Sequence, residues 1–386
     1  MNYKIIFALT LVHFTGDLYS SFITPLIPEF VNKLSLSMAQ VGLMTGIIRL
    51  LSFVVQPCVG YYADRYETRF FILGGLFAVF CFIPLAGIAP NYIALILILS
   101  AGSIGSSMFH PSTTGMIPVY SGANPSFSLS IFNTGGTFAF AIGPVFIAWY
   151  VTRFGLSKMP YTMIFGFILF FFLIKTIPKP VSEKLQNSGF IGSIKETLGH
   201  VAKPIFLIWF VMFLRAVTGQ TFITFMPIYL ANKGHGLISI GFIVAVFIFA
   251  GTLSGLIGGF LSDKIGFKKI FFFSHALMLP TLLLYIYLPG QYVYLGSFCA
   301  GFTVLASLPL GVAMAQKLAP KSRSMVSSLM MGFAYGLGGA VSPFIGKLAD
   351  IYGLEMILFW TSFLPLTTLI FIAKFPNLDN SQTKSV

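Results

Sequence analysis

His13 and Asp17 lie four residues apart in a run from Ile5 to Leu18 that is otherwise almost wholly apolar. On a helix that spacing puts both side chains on one face. A carboxyl and an imidazole in greasy surroundings can take up and release a proton, because burial favours the neutral carboxyl and a nearby cation favours the ionised one. Two cations qualify, Arg49 and Arg215, each inside its own apolar segment. Counted from the segment starts at 1.5 Å per residue, Asp17, Arg49 and Arg215 all fall roughly 15–18 Å deep, near the middle of a bilayer. An ionised side chain there costs about 2.5–3.5 kcal/mol on insertion scales and persists when paired, wet or useful.

Movement of Arg49 relative to Asp17 would load and unload that proton. The alternative is a static Asp17–Arg49 pair tying two helices together. His13 either relays or tunes the proton or is a plain hydrogen-bonded helix histidine. His110 precedes Pro111, which frees backbone carbonyls that need partners; it is a gate or a satisfied kink. His13 and Asp17 alone do not make a metal site, and neither a metal nor a cofactor is expected.

These residues need membrane helices to hold them. Hydrophobic residues make up 56% of the 386-residue chain and charged residues 9%, so a wet surface on all sides is excluded and the lipid bilayer is the natural partner. Twelve spans are expected, at 5–30, 39–62, 70–89, 92–118, 126–150, 160–177, 204–230, 238–262, 269–288, 292–317, 324–348 and 354–374. The first is too long for a cleavable signal. This divides the chain into a six-helix bundle over 1–177, a cytoplasmic linker over 178–203, a second bundle over 204–375 and a polar tail over 376–386. Cys58, Cys81 and Cys299 sit in apolar spans and form no disulfide framework.

A net charge of +13 invites a nucleic-acid reading, but the placement of the charges argues against it. With the amino terminus cytoplasmic, only Lys33, Arg153, Lys158, Lys233 and Lys347 fall outside, and Arg49 and Arg215 fall within the membrane. The other lysines and arginines all face the cytoplasm, so both termini are expected there, in an inner, cytoplasmic membrane.

The chain also repeats itself. Gly60-Tyr-Tyr-Ala-Asp64-Arg65 returns as Gly259-Phe-Leu-Ser-Asp263-Lys264-Ile-Gly266-Phe-Lys268-Lys269, with the two aspartates 199 residues apart. Gly143-Pro144 returns at the same offset as Ser342-Pro343. Halves repeated in this way suggest a transporter. The Asp64 and Asp263 loops read as latches, their glycines allowing close helix approach and their carboxylates suited to a neighbouring helix amino terminus. Gly346-Lys-Leu-Ala-Asp350-Ile-Tyr-Gly353 is a shorter version of the same ending.

The loops resemble the signature of the major facilitator superfamily. The second copy fits G-x-x-x-D-[RK]-x-G-x-[RK]-[RK] throughout, whereas the first has Glu67 in place of glycine and Phe70 in place of a base. Gly135-Gly136…Gly143-Pro144 looks like a degenerate antiporter motif, or else a packing face of small residues. His13-Phe-x-x-Asp17, Pro25…Pro28, Gln56-Pro57, Phe109-His110-Pro111 and Arg215…Pro227 are together similar to the fosmidomycin-resistance efflux group, with Ser112 where an acid is expected. The resemblance implies an all-α membrane protein of two six-helix pseudo-repeats, whose first, fourth, seventh and tenth helices line a cavity. It implies a proton-coupled exporter of small molecules, monomeric, with Asp17 and His13 coupling the proton. Arg215 with Thr218 and Gln220, together with Arg49 and His110, would then contact cargo, a carboxylate or phosphonate suiting the fixed cations.

Uptake or exchange of an organic anion on Arg49 and Arg215 is the competing reading. An enzyme built on His13, Asp17 and His110 lacks a credible nucleophile with its base, so no enzyme is expected.

Overall fold

The computed structural model describes residues 1–63, 69–122, 125–179, 201–319, 330 and 334–376. Eleven helices there are long and apolar enough to cross a bilayer. In chain order the spans are α1 (Tyr3–Leu34), α2 (Met38–Ala63), α3 (Phe70–Ile88), α4 (Tyr92–Ser121), α5 (Pro125–Phe154), α6 (Leu156–Thr176), α7 (Ala202–Asn232), α8 (Leu237–Ile265), α9 (Phe267–Tyr287), α10 (Gly290–Leu318), α11 (Ala334–Ala340 continued by Ser342–Tyr352) and α12 (Leu354–Ile372). The described part of α11, two pieces of 7 and 11 residues, is not among those eleven and completes the twelve. Apart from the start of the eleventh, expected at 324 and outside the described residues, the boundaries expected from hydropathy fall within a few residues of these, because a bilayer rewards one uninterrupted hydrogen-bonded helix per crossing.

Local sequence sets the ends. Ser37 and Gln40 form a reciprocal capping box at the start of α2, Gln40 Oε1 accepting the Ser37 N–H at 2.9 Å and Ser37 Oγ accepting the Gln40 N–H at 3.2 Å. Asn91 Oδ1 accepts the Ala94 N–H at 2.9 Å to cap α4. Gly266 ends α8 at φ +87°, a conformation a side chain resists.

The halves repeat in three dimensions. Ser103 of α4 donates to the Ile48 carbonyl of α2 at 2.9 Å, and Ser297 of α10 donates to the Ile243 carbonyl of α8 at 2.7 Å. Each half is a bundle with its own helix contacts, α1 against α4 and α5, and α9 and α10 against each other and against α8.

The bundles meet along α2–α11 and α5–α8, with the carboxy-terminal part of α1 against α7. A Cβ on Gly42 would fall on the Ser342 carbonyl, and one on Gly241 would lie 2.6 Å from the Pro144 carbonyl. Gly42 and Gly241 are 199 residues apart, the same offset that relates Pro144 to Pro343. The echoed Gly143-Pro144 and Ser342-Pro343 segments are therefore the two symmetry-related halves of one seam. The seam lies in the half of the molecule remote from the start of α1 and the end of α12, since α2 and α8 enter it at their amino ends and α5 and α11 at their carboxyl ends. Polar backbone at close quarters can replace apolar packing here because lipid offers no hydrophobic drive between helices.

Candidate functional site

A cavity of about 440 Å³ opens between the bundles. Its polar wall comes from three stripes at helical spacing: Asp17, Ser20 and Thr24 on α1, Thr45, Arg49, Ser52 and Gln56 on α2, and Ser103, Ser106 and His110 on α4. Ile223 and Thr224 of α7 and Gly336 of α11 add the second bundle's side. Each stripe advances by three or four residues, which keeps it on one helix face. The sequence marks Asp17, Arg49 and His110 as site candidates from these stripes and Gln56 only as part of a family motif, and the hydroxyls were missed. The signal was present, since polar residues at i, i+3 and i+7 within apolar helices mark a wet face.

Asp17 is the centre of the site. Its side chain is 5% exposed, with Oδ2 at 3.1 Å from His13 Nε2 and Oδ1 at 3.0 Å from His110 Nε2. Oδ1 is nonetheless buried without a directed hydrogen bond among the described residues, so the His110 contact has the distance of one but not the direction. The far nitrogen of each ring faces a backbone carbonyl, His13 Nδ1 at 2.9 Å from the Phe132 oxygen and His110 Nδ1 at 2.7 Å from the Ser106 oxygen. A carbonyl only accepts, so both Nδ1 atoms carry hydrogen.

The rings are clamped. His13 stacks on Phe132 with centroids 4.2 Å apart, His110 stacks on Phe109 at the same distance, and the two imidazoles meet edge to face at 5.1 Å. Gly136 of α5 lies against the pair so closely that a Cβ would sit 2.5 Å from His13 Cε1 and 2.6 Å from Asp17 Oδ2. His110 is 28% exposed and faces the cavity, whereas His13 is 10% exposed behind Asp17. His110 thus brings a third ligating side chain to a pair that looked isolated in sequence, and the three could hold a metal ion.

The two arginines separate. Arg49 lines the cavity. Arg215 is 1% exposed in α7, and its Nη1 donates to the Val304 carbonyl of α10 at 3.1 Å. Gln220 is likewise buried, with Nε2 lacking a hydrogen bond among the described residues. Neither is on the described cavity wall: Arg215 turns to α10, and Gln220, one turn before the wall residues Ile223 and Thr224, is buried short of the cavity. The ion-pair contacts of Asp17 among the described residues are with the two histidines.

The expected latch is only partly described. Asp64 and Arg65 lie outside the described residues, as do 180–200 of the linker and 377–386 of the tail, and the side chain of Asp263 is not described. The close approach expected at Gly259 is absent among the described residues, a Cβ there meeting nothing within 4 Å; Gly60 is not described in this respect. Lys264 Nζ lies over the Phe260 ring at 4.3 Å, and Lys268 Nζ donates to the Ala373 carbonyl at 2.6 Å. The third copy of the motif acts at the other end of the molecule: Asp350 of α11 accepts backbone N–H groups from Met38 and Ala39 of α2.

Comparison with known proteins extends the same pattern along the chain. The family model of the Major Facilitator Superfamily matches residues 9–343. The fosmidomycin resistance protein of Escherichia coli (strain K12) is 26% identical over 377 residues, covering 96% of this chain and 92% of the relative. Among solved structures, a bacterial homolog of the human lysosomal transporter Spinster superposes with a TM-score of 0.83 at 16% identity, over 96% of this chain and 95% of its own. The nucleoside transporter NupG superposes with a TM-score of 0.79 at 15% identity, over 97% and 99%.

Proposed function

The chain belongs to the Major Facilitator Superfamily, and from that premise we propose that it is a proton-coupled exporter of small organic molecules working by alternating access. The observation that carries the reading is the buried Asp17 between two histidines, one of which forms part of the wall of the cavity between the bundles. A protonatable group touching the cargo space lets cargo and proton compete for one conformational cycle, which is the requirement for coupling. The resemblance to a resistance protein along nearly the whole chain favours export.

In this reading Asp17 and His110 exchange protons with the cavity, and His13, held by the Phe132 carbonyl, stabilises the charge on Asp17 from behind. Arg49, with Ser52 and Gln56 beside it, receives the polar end of the cargo. With the termini in the cytoplasm of an inner membrane, the glycine seam and the Asp350 contact close the outer side, and the cavity belongs to a state poised toward the cytoplasm. The Asp64 and Asp263 loops hold the opposite side in the other state. Arg215 serves the packing of the second bundle, where it braces α7 against α10 through the Val304 carbonyl.

The test is proton movement in proteoliposomes of the wild type and of Asp17→Asn, during a screen of phosphonates, carboxylates and amphipathic drugs. Cargo-dependent proton flux opposite to cargo, lost in the variant, supports coupled export. Cargo flux without proton movement would sink the coupling and leave an anion exchanger or uniporter.

A further inference from the structure

Because each Nδ1 is committed as a donor to a backbone carbonyl, a neutral His13 and a neutral His110 both present a bare Nε2 lone pair to the Asp17 carboxylate. Electron-rich atoms then face each other at 3.1 Å and 3.0 Å, and each gap must hold something positive. Two protons meet that need. So does one divalent cation, and the charge is the same: a carboxylate with two imidazolium rings and a carboxylate with two neutral rings plus a divalent ion both carry one net positive charge.

We infer that His13, Asp17 and His110 form a site for a divalent transition-metal ion of the zinc class, which displaces the two protons and holds the transporter idle. The ligand set is two imidazoles and a carboxylate, a combination suited to zinc and its neighbours. One ligand atom from each residue lies within 4.8 Å of the others, and a tetrahedral ion with bonds of about 2.0–2.1 Å needs ligand atoms roughly 3.3 Å apart, close to the 3.1 Å and 3.0 Å that separate each imidazole nitrogen from the carboxylate. Nδ1–H to a backbone carbonyl is the outer support that metal-binding histidines generally have, and both rings have it. The undirected contact at Asp17 Oδ1 also suits an ion better than a proton, since a shared proton must lie close to the N–O line and a metal sits off it. Entry is from the cavity past the partly exposed His110, which leaves a fourth position for water on that side.

Binding stands on these ligands alone; the block of transport rests on the proton-coupling reading above. The experiment titrates Co²⁺, then competes it with Zn²⁺, on the purified full chain in lipid nanodiscs. A Cys58→Ala, Cys81→Ala, Cys299→Ala background removes the thiols. The expected result is one saturable Co²⁺ per chain with the visible absorption of a low-coordinate site, bleached by Zn²⁺. In His110→Gln and in Asp17→Asn, each checked for an unchanged melting temperature, affinity should fall at least 10–100-fold, the usual cost of losing even an outer partner of a ligand. Absence of saturable binding in the background protein, or wild-type affinity in both variants, overturns the site. Proton flux measured in the same preparation separates the two readings: flux without metal binding defeats the metal site alone, and metal binding without any cargo-dependent flux defeats the proton coupling alone.

Discussion

The carboxylate of Asp350, at the end of α11, accepts the backbone N–H of Met38 at 2.7 Å and that of Ala39 at 3.0 Å, at the start of α2. With the capping box of Ser37 and Gln40, it satisfies the four amides that an α-helix leaves open at its amino end. Two of those four partners come from the other half of the chain. The end of α2 is therefore complete only while the bundles are closed there, and the negative charge sits where the helix dipole favours it. Asp350→Ala should cost about 1–2 kcal/mol of that closed state, roughly a 5–30-fold change in the ratio of closed to open molecules. Spin labels on the remote ends of α2 and α11 would report it; an unchanged distance distribution would show that the contact does not hold the seam.

The seam itself tolerates no added carbon. Gly42→Ala and Gly241→Ala each place a methyl against a carbonyl of the opposite bundle, at Ser342 and Pro144. Both variants should open the same end of the molecule and slow transport, and they should do so alike because they are equivalents in the repeat. Accessibility of a cysteine introduced beneath the seam measures this, and a protected cysteine in either variant counts against the prediction.

Asp17→Asn keeps the size of the side chain and removes its charge. Flux driven by a pH gradient should be abolished while cargo binding, measured at equilibrium, is retained. Transport that still responds to the gradient would mean that the proton is carried elsewhere.

Gly136→Ala tests position without touching a titratable group. Its methyl would crowd His13 Cε1 and Asp17 Oδ2, so the cluster must shift, and the ratio of protons to cargo should fall even where expression and melting temperature are normal. A wild-type ratio would show that the cluster's exact geometry is irrelevant to coupling.

Arg49 and Arg215 should respond differently to the same change. Arg49→Lys removes the planar fork from the cavity wall and should raise the half-saturating cargo concentration about tenfold, the worth of about 1.4 kcal/mol in a charged hydrogen bond. Arg215→Lys disturbs the packed bond to the Val304 carbonyl and should lower the melting temperature with little effect on cargo affinity. The reverse pattern in paired binding and melting measurements would return Arg215 to the cargo site.

The twelve crossings, the two-fold repetition and the burial of Asp17 in an apolar helix were legible in the chain itself, for a common reason. A bilayer enforces one apolar helix per crossing and penalises a charge in its middle, so length, hydropathy and an isolated carboxylate carry their meaning in one dimension. Helical periodicity likewise held the polar stripes through Ser20 and Thr24, through Ser52 and Gln56, and through Ser103 and Ser106. Which faces meet was decided only by packing. Nothing local distinguishes Arg49, on the cavity wall, from Arg215, inside the second bundle, because rotation of a helix about its axis is set by its neighbours. The partnership of Asp17 with His110 spans 93 residues of chain and depends on how α1 and α4 dock. For Asp350, the motif marked the helix end correctly, but the odd-numbered position of α11 in the chain sends that end to the far side of the molecule. There it meets the opening amides of α2, a partner that only the closed pair of bundles can supply.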